Sequence, residues 1–379
     1  MRLRPLATAC VLAVITLLLY AFRLSGPPLS SAESTFNAQA QSIDAGHTPL
    51  FFHAGGEQWL QPIAVYANAA MRIAGGDEVS GRLASTLAAA ISVAMTCLSA
   101  WEITGNLWLS VLAALSLTLT PAFWSFAQRG TDAIAAVPLV LLWLWNTLRF
   151  LKADTLRSLA TAAALLGVSI YAGAAGPLTA VFLWLLTLVV LRRRNLARLL
   201  GATAVFGAAW VPAVAWFFRH IDTYPDTFGR WFVFAAHLRN PLEGVRAFLN
   251  TGTLGNRASL YWGFWDPSWL FFSGIETAAP LLLAAAPLIV AGVIRCSRHV
   301  ARETAVLVMG TALIAPLAGA TFGAPHYLAD AATVMPILAV LSALGVQQLV
   351  RLVTRRPLED RVPVAAVDGW DDHGTAPRS

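Results

Sequence analysis

A polytopic, all-α membrane fold is what this sequence predicts, from its apolar excess, the length of its apolar runs and the pattern inside them. Hydrophobic residues make up 57% of the 379 positions and charged residues only 12%, with a mean hydropathy of +0.64. That is more apolar surface than a soluble domain can usefully bury. The runs last about 18 to 24 residues, the length at which a helix crosses a bilayer. None alternates with period two over any length, so the spans are expected to be helices rather than barrel strands.

Taken in order, the runs and their breakers place about ten membrane helices, near residues 5–24, 82–102, 107–127, 132–151, 157–174, 176–191, 199–218, 277–295, 303–322 and 327–350. The first follows Arg2 and Arg4 in the layout of a signal peptide. Its long apolar run and the Phe22-Arg23-Leu24 that follows, without a small-x-small site, point to a retained helix.

Orienting that helix with its arginines inside puts both termini in the cytoplasm, and the expected location is the plasma (inner) membrane. The same side then receives Arg149, Lys152 and Arg157, next Arg192, Arg193, Arg194 and Arg198, then Arg295, Arg298 and Arg302, and last Arg351, Arg355 and Arg356. The formal charge of +6 thus reads as topology signals, not as a nucleic-acid patch. Cys10, Cys97 and Cys296 lie in or beside apolar segments without metal-ligand spacing, which speaks against a disulfide framework or a zinc site. Residues 1–350 are expected to form the membrane domain, and 351–379, with Pro357, Pro363, Asp368, Asp371, Asp372 and Pro377, a disordered cytoplasmic tail.

Two large segments remain for the opposite, non-cytoplasmic face: 25–81 and 219–276. In the first, Ser31 is expected to cap a surface helix to about Ile43, stopped by Gly46. Phe36, Ala40 and Ile43 form its apolar face and Asn37, Gln41 and Asp44 its polar one. Gly55 to Pro62 turns the chain into a second amphipathic helix from Ile63 to Ile73, before Gly81-Arg82-Leu83 opens the second span.

The second outer segment is aromatic, with Tyr224, Phe228, Trp231, Phe232 and Phe234, then Tyr261, Trp262, Phe264, Trp265 and Trp269. Such residues serve as an interfacial belt, and they also stack on the C–H faces of sugars. His47, His53, His237 and His326 show no paired spacing for a metal. Intramembrane charge is sparse and no inverted repeat is visible, which speaks against a transporter or flippase but leaves it as a third reading.

The order of these features resembles the GT-C membrane glycosyltransferases. It is most similar to bacterial relatives of the dolichyl-phosphate-mannose protein mannosyltransferases and to the lipid A aminoarabinose transferases. The marks are the first outer loop, Arg82-Leu83-Ala84-Ser85 opening an Ala-rich span, and Phe126-Ala127-Gln128-Arg129-Gly130-Thr131-Asp132 before the fourth span. Others are Ser169-Ile170-Tyr171, Trp269-Leu270-Phe271-Phe272-Ser273-Gly274 and Pro325-His326-Tyr327-Leu328. Together they cover residues 1 to 350.

The resemblance implies transfer of a sugar from a polyprenyl-phosphate donor to an acceptor at the non-cytoplasmic face. It implies an acidic pair in the first outer loop, which falls here on Ala32 and Glu33, and a further site residue before the fourth span, which falls on Asp132. Two positions depart from the pattern: Ala32 stands where an acid is expected, and Ala329-Asp330-Ala331 follows Tyr327 where many relatives carry a basic residue.

Such a reaction needs a carboxylate to take the acceptor proton and cations for the departing phosphate. Glu33 and Asp132 are the candidate catalytic residues, and Arg129, Arg230, Arg257, His326, Tyr327 and Trp265 the candidate substrate-binding residues. Glu33 and Asp132 also suit first-turn positions favoured by a helix dipole, and outer arginines also serve as membrane anchors. The implied partners are the bilayer and the lipid-linked sugar, and no bound cofactor is implied with certainty. A relative that binds lipid-linked sugar or a partner without catalysis is the alternative that Ala32 and Asp330 raise.

Overall fold

The computed structural model describes residues 3–22, 24, 28–44, 46–54, 59–75, 79–220, 251–272, 279–321 and 328–354. Arg230, His326 and Tyr327 lie outside them, as do the side chain of Asp330 and the tail beyond Thr354.

α1 (Leu3–Ala21) buries a single stripe, Ala9, Leu12, Thr16 and Tyr20, and turns Val11, Val14 and Leu18 outward, as a helix between protein and lipid does. Tyr20 donates its hydroxyl to the Thr118 carbonyl at 2.7 Å and stacks on Trp124.

α1 packs on α4 (Ser80–Thr104), whose buried face is built from Ala89, Ala90, Ser92, Val93, Thr96, Cys97 and Ala100. These small side chains let neighbouring backbones approach. The hydroxyls of Ser92 and Thr96 return to carbonyls four residues back, which pairs both inside the apolar interior.

α5 (Leu107–Thr118) starts where the Asn106 side chain accepts from the Trp108 and Leu109 N–H groups. It ends before Pro121, where α6 (Pro121–Ala127) departs at 65°. α7 (Ala136–Ala153) and α8 (Leu156–Val168) form a hairpin, and a 3-10 turn, Ser169–Tyr171, leads into α9 (Gly176–Leu191). α10 (Leu196–Arg219) follows. Beyond it come α11 (Thr251–Phe264), α12 (Pro267–Phe271), α13 (Ala285–His299), α14 (Arg302–Thr321), a second 3-10 turn (Leu328–Ala331) and α15 (Val334–Thr354).

α15 is buried without a break from Val334 to Gly345 and lies against α13 at near-contact of the backbones. A Cβ on Gly292 would sit 1.8 Å from the Leu341 carbonyl oxygen, and one on Gly345 1.9 Å from that of Leu288. Only glycine fits at either position.

The chain is a multi-pass membrane protein, all-α in its spanning part. Of the described helices, 6 are long and apolar enough to cross a bilayer, and α5 with α6 adds a bent seventh. The remaining runs among the expected ten form shorter helices: α8 has 13 residues, α9 16 and α13 15. The 277–295 run stays in turns from Pro280 until Ala285. The 157–174 run tightens into 3-10 turns after Val168.

The segment between α1 and α4 is structured as expected. It comprises α2 (Ser31–Asp44), a ribbon of Phe52–His53 (β1) against Trp59–Leu60 (β2), and α3 (Pro62–Ile73). Phe36, Ala40, Phe52, Val65 and Ala69 make its own small core. Asn37, expected on a polar face, is instead buried and accepts from Asn68 at 2.6 Å, while Ser80 donates to Asn68. This amide pair joins α2 and α3 to the start of α4.

Candidate functional site

A cavity of about 390 Å³ opens where α2 and β2 meet the start of α7, the 169–176 turn and the start of α15. Ala32, Thr35 and Phe36 form one wall, Trp59 and Leu60 the next, and Asp132, Ala133, Ala136, Val137 and Val140 a third. Ser169, Gly173 to Gly176, Ala332 and Thr333 close it. Asp132 is the only charged residue that lines it among the described residues. Two further polar groups are buried there without a hydrogen-bond partner, the Thr333 hydroxyl and the Trp59 indole N–H.

Asp132 sits in the turn between α6 and α7, and three bonds tie that turn to earlier chain. Thr86 donates to the Ala127 carbonyl at 3.1 Å, Ser85 to the Thr131 carbonyl at 3.4 Å, and the Gly130 N–H to Glu33 Oε1 at 3.1 Å. The last bond depends on close approach. A Cβ on Gly130 would lie 3.0 Å from the carbonyl carbon of Gly81, so any side chain there pushes the turn off α4. Gly173 faces Asp132 from across the cavity, its absent Cβ 4.0 Å from Oδ2.

Glu33 was expected to supply the base, and both of its oxygens are occupied. Arg82 Nε donates to Oε1 at 2.7 Å and Nη2 to Oε2 at 3.1 Å, and the Ser30 N–H donates to Oε2 at 2.9 Å. Ser30 Oγ accepts from the Glu33 N–H at 3.3 Å, so the two residues form a capping box that starts α2 one residue before the expected cap. Arg82 is itself satisfied by the carbonyls of Leu24 and Pro28.

Burial alone pushes the Glu33 carboxyl up. The Arg82 guanidinium and the N–H groups of Ser30 and Gly130 outweigh it and hold the group at about 2. A carboxylate so stabilised is a poor proton acceptor. Its neighbour Ala32, about 100° around the helix, faces the cavity instead.

The other expected site residues are dispersed. Arg129 is half-buried in the turn three residues before Asp132 but is not among the lining residues. Arg257 lies buried on α11, where desolvation lowers its pKa, and Trp265 packs edge-on against Phe264 just beyond α11. Neither lines the cavity. Among the described residues no three His, Cys, Asp or Glu side chains gather closely enough to hold a metal ion.

Residues that sequence reasoning passed over complete the site. Arg82 is one; an arginine just inside the start of an apolar helix was the available signal. Trp216, near the end of α10, is another. It packs against Phe51 (4.8 Å) and Trp59 (5.1 Å) and stacks on His220, clamping the β1–β2 ribbon over the cavity rim.

Tyr171 shapes that clamp. Its hydroxyl donates to the Ala209 carbonyl at 2.8 Å and accepts from the Ala213 N–H at 3.1 Å, entering the helix ladder beside Pro212. Tyr171→Phe strands both groups and is expected to cost about 1–3 kcal/mol. Thermal unfolding, with faster amide exchange at 209–216, checks this; unchanged exchange there removes the role.

No family model and no curated protein matches the sequence. Similarity appears among solved structures. The crystal structure of ArnT from Cupriavidus metallidurans bound to undecaprenyl phosphate superposes with a TM-score of 0.58 at 15% identity, covering 91% of this chain and 62% of that one. Its apo form gives 0.55 at 16%, with 91% and 60% covered. The apo oligosaccharyltransferase of Archaeoglobus fulgidus gives 0.51 at 15%, with 93% and 52% covered. Both proteins are GT-C enzymes, and at these identities the likeness is one of fold. The chain spans less than two thirds of the length of each.

Proposed function

Taking the GT-C membrane fold as the premise, we propose that this chain is a membrane glycosyltransferase that moves a sugar from a polyprenyl-phosphate donor to a hydroxyl acceptor, with Asp132 as the base. The observation that carries this is the division between the two candidate carboxylates. Asp132 lines the cavity, while Glu33 is locked to Arg82 behind its wall.

In the proposed step, Asp132 takes the proton of the acceptor O–H. The oxygen forms a bond to the anomeric carbon, and the bond from that carbon to the phosphate oxygen breaks. The polyprenyl phosphate leaves with the electron pair and needs cationic partners. Arg129, three residues before Asp132 in the same turn, is the first choice for this, with Arg257 and Arg230 as further candidates. His326, Tyr327 and Trp265 are assigned to donor binding. Thr333 and Trp59 are suited to sugar hydroxyls, since each brings a buried polar group without a partner into the wall.

A second, almost purely apolar groove of about 220 Å³ runs between α3, α4 and α7, past Ile63, Met71, Ile91 and Leu139, and reaches Gly130. It suits the isoprenoid tail of such a donor. The site is assigned to the non-cytoplasmic face of the plasma membrane, with both termini cytoplasmic.

One observation favours a second reading. Ala32 lines the cavity where the resemblance calls for an acid, as in a protein that holds lipid-linked sugar without turning it over. Purified protein in nanodiscs, given undecaprenyl phosphate and then its glycosylated form with a panel of hydroxyl acceptors, separates the two. Saturable lipid binding with product formation is expected. Binding without product supports the second reading, and absence of binding removes both.

A further inference from the structure

α9 ends, and α14 begins, in arginines that share one groove of about 190 Å³, lined by Val189, Val190, Arg192, Arg193, Arg302 and Val306, with Glu303 at its edge. The one carboxylate is engaged by a fourth arginine, Arg194, at 3.4 Å. Among the described residues that line it, the groove therefore gathers more positive charge than Glu303 balances. Holding like charges together is unfavourable unless an anion joins them.

The walls beneath are apolar and face outward. Leu185, Val189 and Arg192 follow one another along one face of α9, with Leu185 51% and Val189 59% exposed. On antiparallel α14, Arg302 heads a matching row in which Val306 is 41% and Leu313 50% exposed. The two helices close against each other lower down, where Leu186 fills the space left by Gly310. The result is a surface slot with hydrocarbon walls and a cationic mouth, located at the ends of two apolar helices. A soluble anion matches only the mouth; an anion on an acyl chain matches both parts.

We propose that this groove binds the phosphate of an anionic phospholipid, with Arg192, Arg193 and Arg302 on the headgroup and an acyl chain along Val189 and Val306. The site is separate from the cavity at Asp132 and stands whether or not that cavity transfers sugar.

The test uses the full chain reconstituted in vesicles of equal parts phosphatidylglycerol and phosphatidylcholine, then extracted in neutral detergent, with retained lipid counted by native mass spectrometry. Preferential retention of phosphatidylglycerol is expected. R192Q/R193Q/R302Q should weaken it on the order of a hundredfold, from roughly fivefold per arginine. V306W, which fills the slot and keeps every charge, should also reduce it, and it decides the matter if the triple variant aggregates. Equal retention of the two lipids overturns the proposal, as does full retention by either variant. Displacement of phosphatidylglycerol by inorganic phosphate, with V306W silent, also overturns it and leaves a soluble-anion site.

Discussion

Asp132→Asn is expected to lower the rate of sugar transfer by about 10²–10⁴-fold, the range for loss of a positioned general base. The amide keeps the shape of the side chain, so donor-lipid affinity should stay within about threefold and thermal stability within about 0.5 kcal/mol. The effect should fall on kcat and on kcat/KM alike, because the proton moves only in the transition state. Steady-state transfer assays with the glycosylated lipid check this. A variant that turns over at the wild-type rate would place the base elsewhere, with Asp330 or a residue of the 221–250 segment next in line.

The second large effect is on stability. Glu33→Gln removes the charge that balances the buried Arg82 guanidinium, and is expected to cost about 3–5 kcal/mol in thermal unfolding. Replacing both, with Glu33→Leu and Arg82→Met, should cost far less, since no uncompensated charge is left inside. Equal losses in the single and double variants would mean that the pair is not what holds the loop.

The same bond sets an acid limit. The carboxyl sits at about 2 in the folded protein, below its value of roughly 4.3 in an unfolded chain. Its contribution, on the order of 3 kcal/mol, is therefore complete above about pH 4.3 and is lost as pH falls towards 2. A melting temperature that drops through that window in the wild type, and stays flat there in the double variant, is the expected signature.

Much of the loop between α1 and α4 was legible because its signals are local. The i, i+3 and i+4 spacing of apolar residues and the stop at Gly46 give α2 its extent, and Pro62 to Ile73 reads the same way. The roles of Glu33 and Asp132 were not legible. Adjacent positions on a helix point about 100° apart, and which of Ala32 and Glu33 meets the cavity depends on Arg82, 49 residues on, and on Gly130, 97 residues on. No local pattern carries that information. Which apolar runs form full-length helices was not legible either: the runs near 157–174 and 277–295 are apolar throughout, yet their α-helices stop at Val168 and start only at Ala285.

The Glu33 carboxylate also sets an order of assembly. It needs Arg82 at the head of α4 and the Gly130 amide beyond α6, so α2 has no final position while the chain is still entering the membrane through α5. The wall carrying Ala32 can close on Asp132 only after the α6–α7 turn has emerged. The cavity is thus assembled from residues as far apart as Ala32 and Thr333, and no single stretch of the chain encloses it.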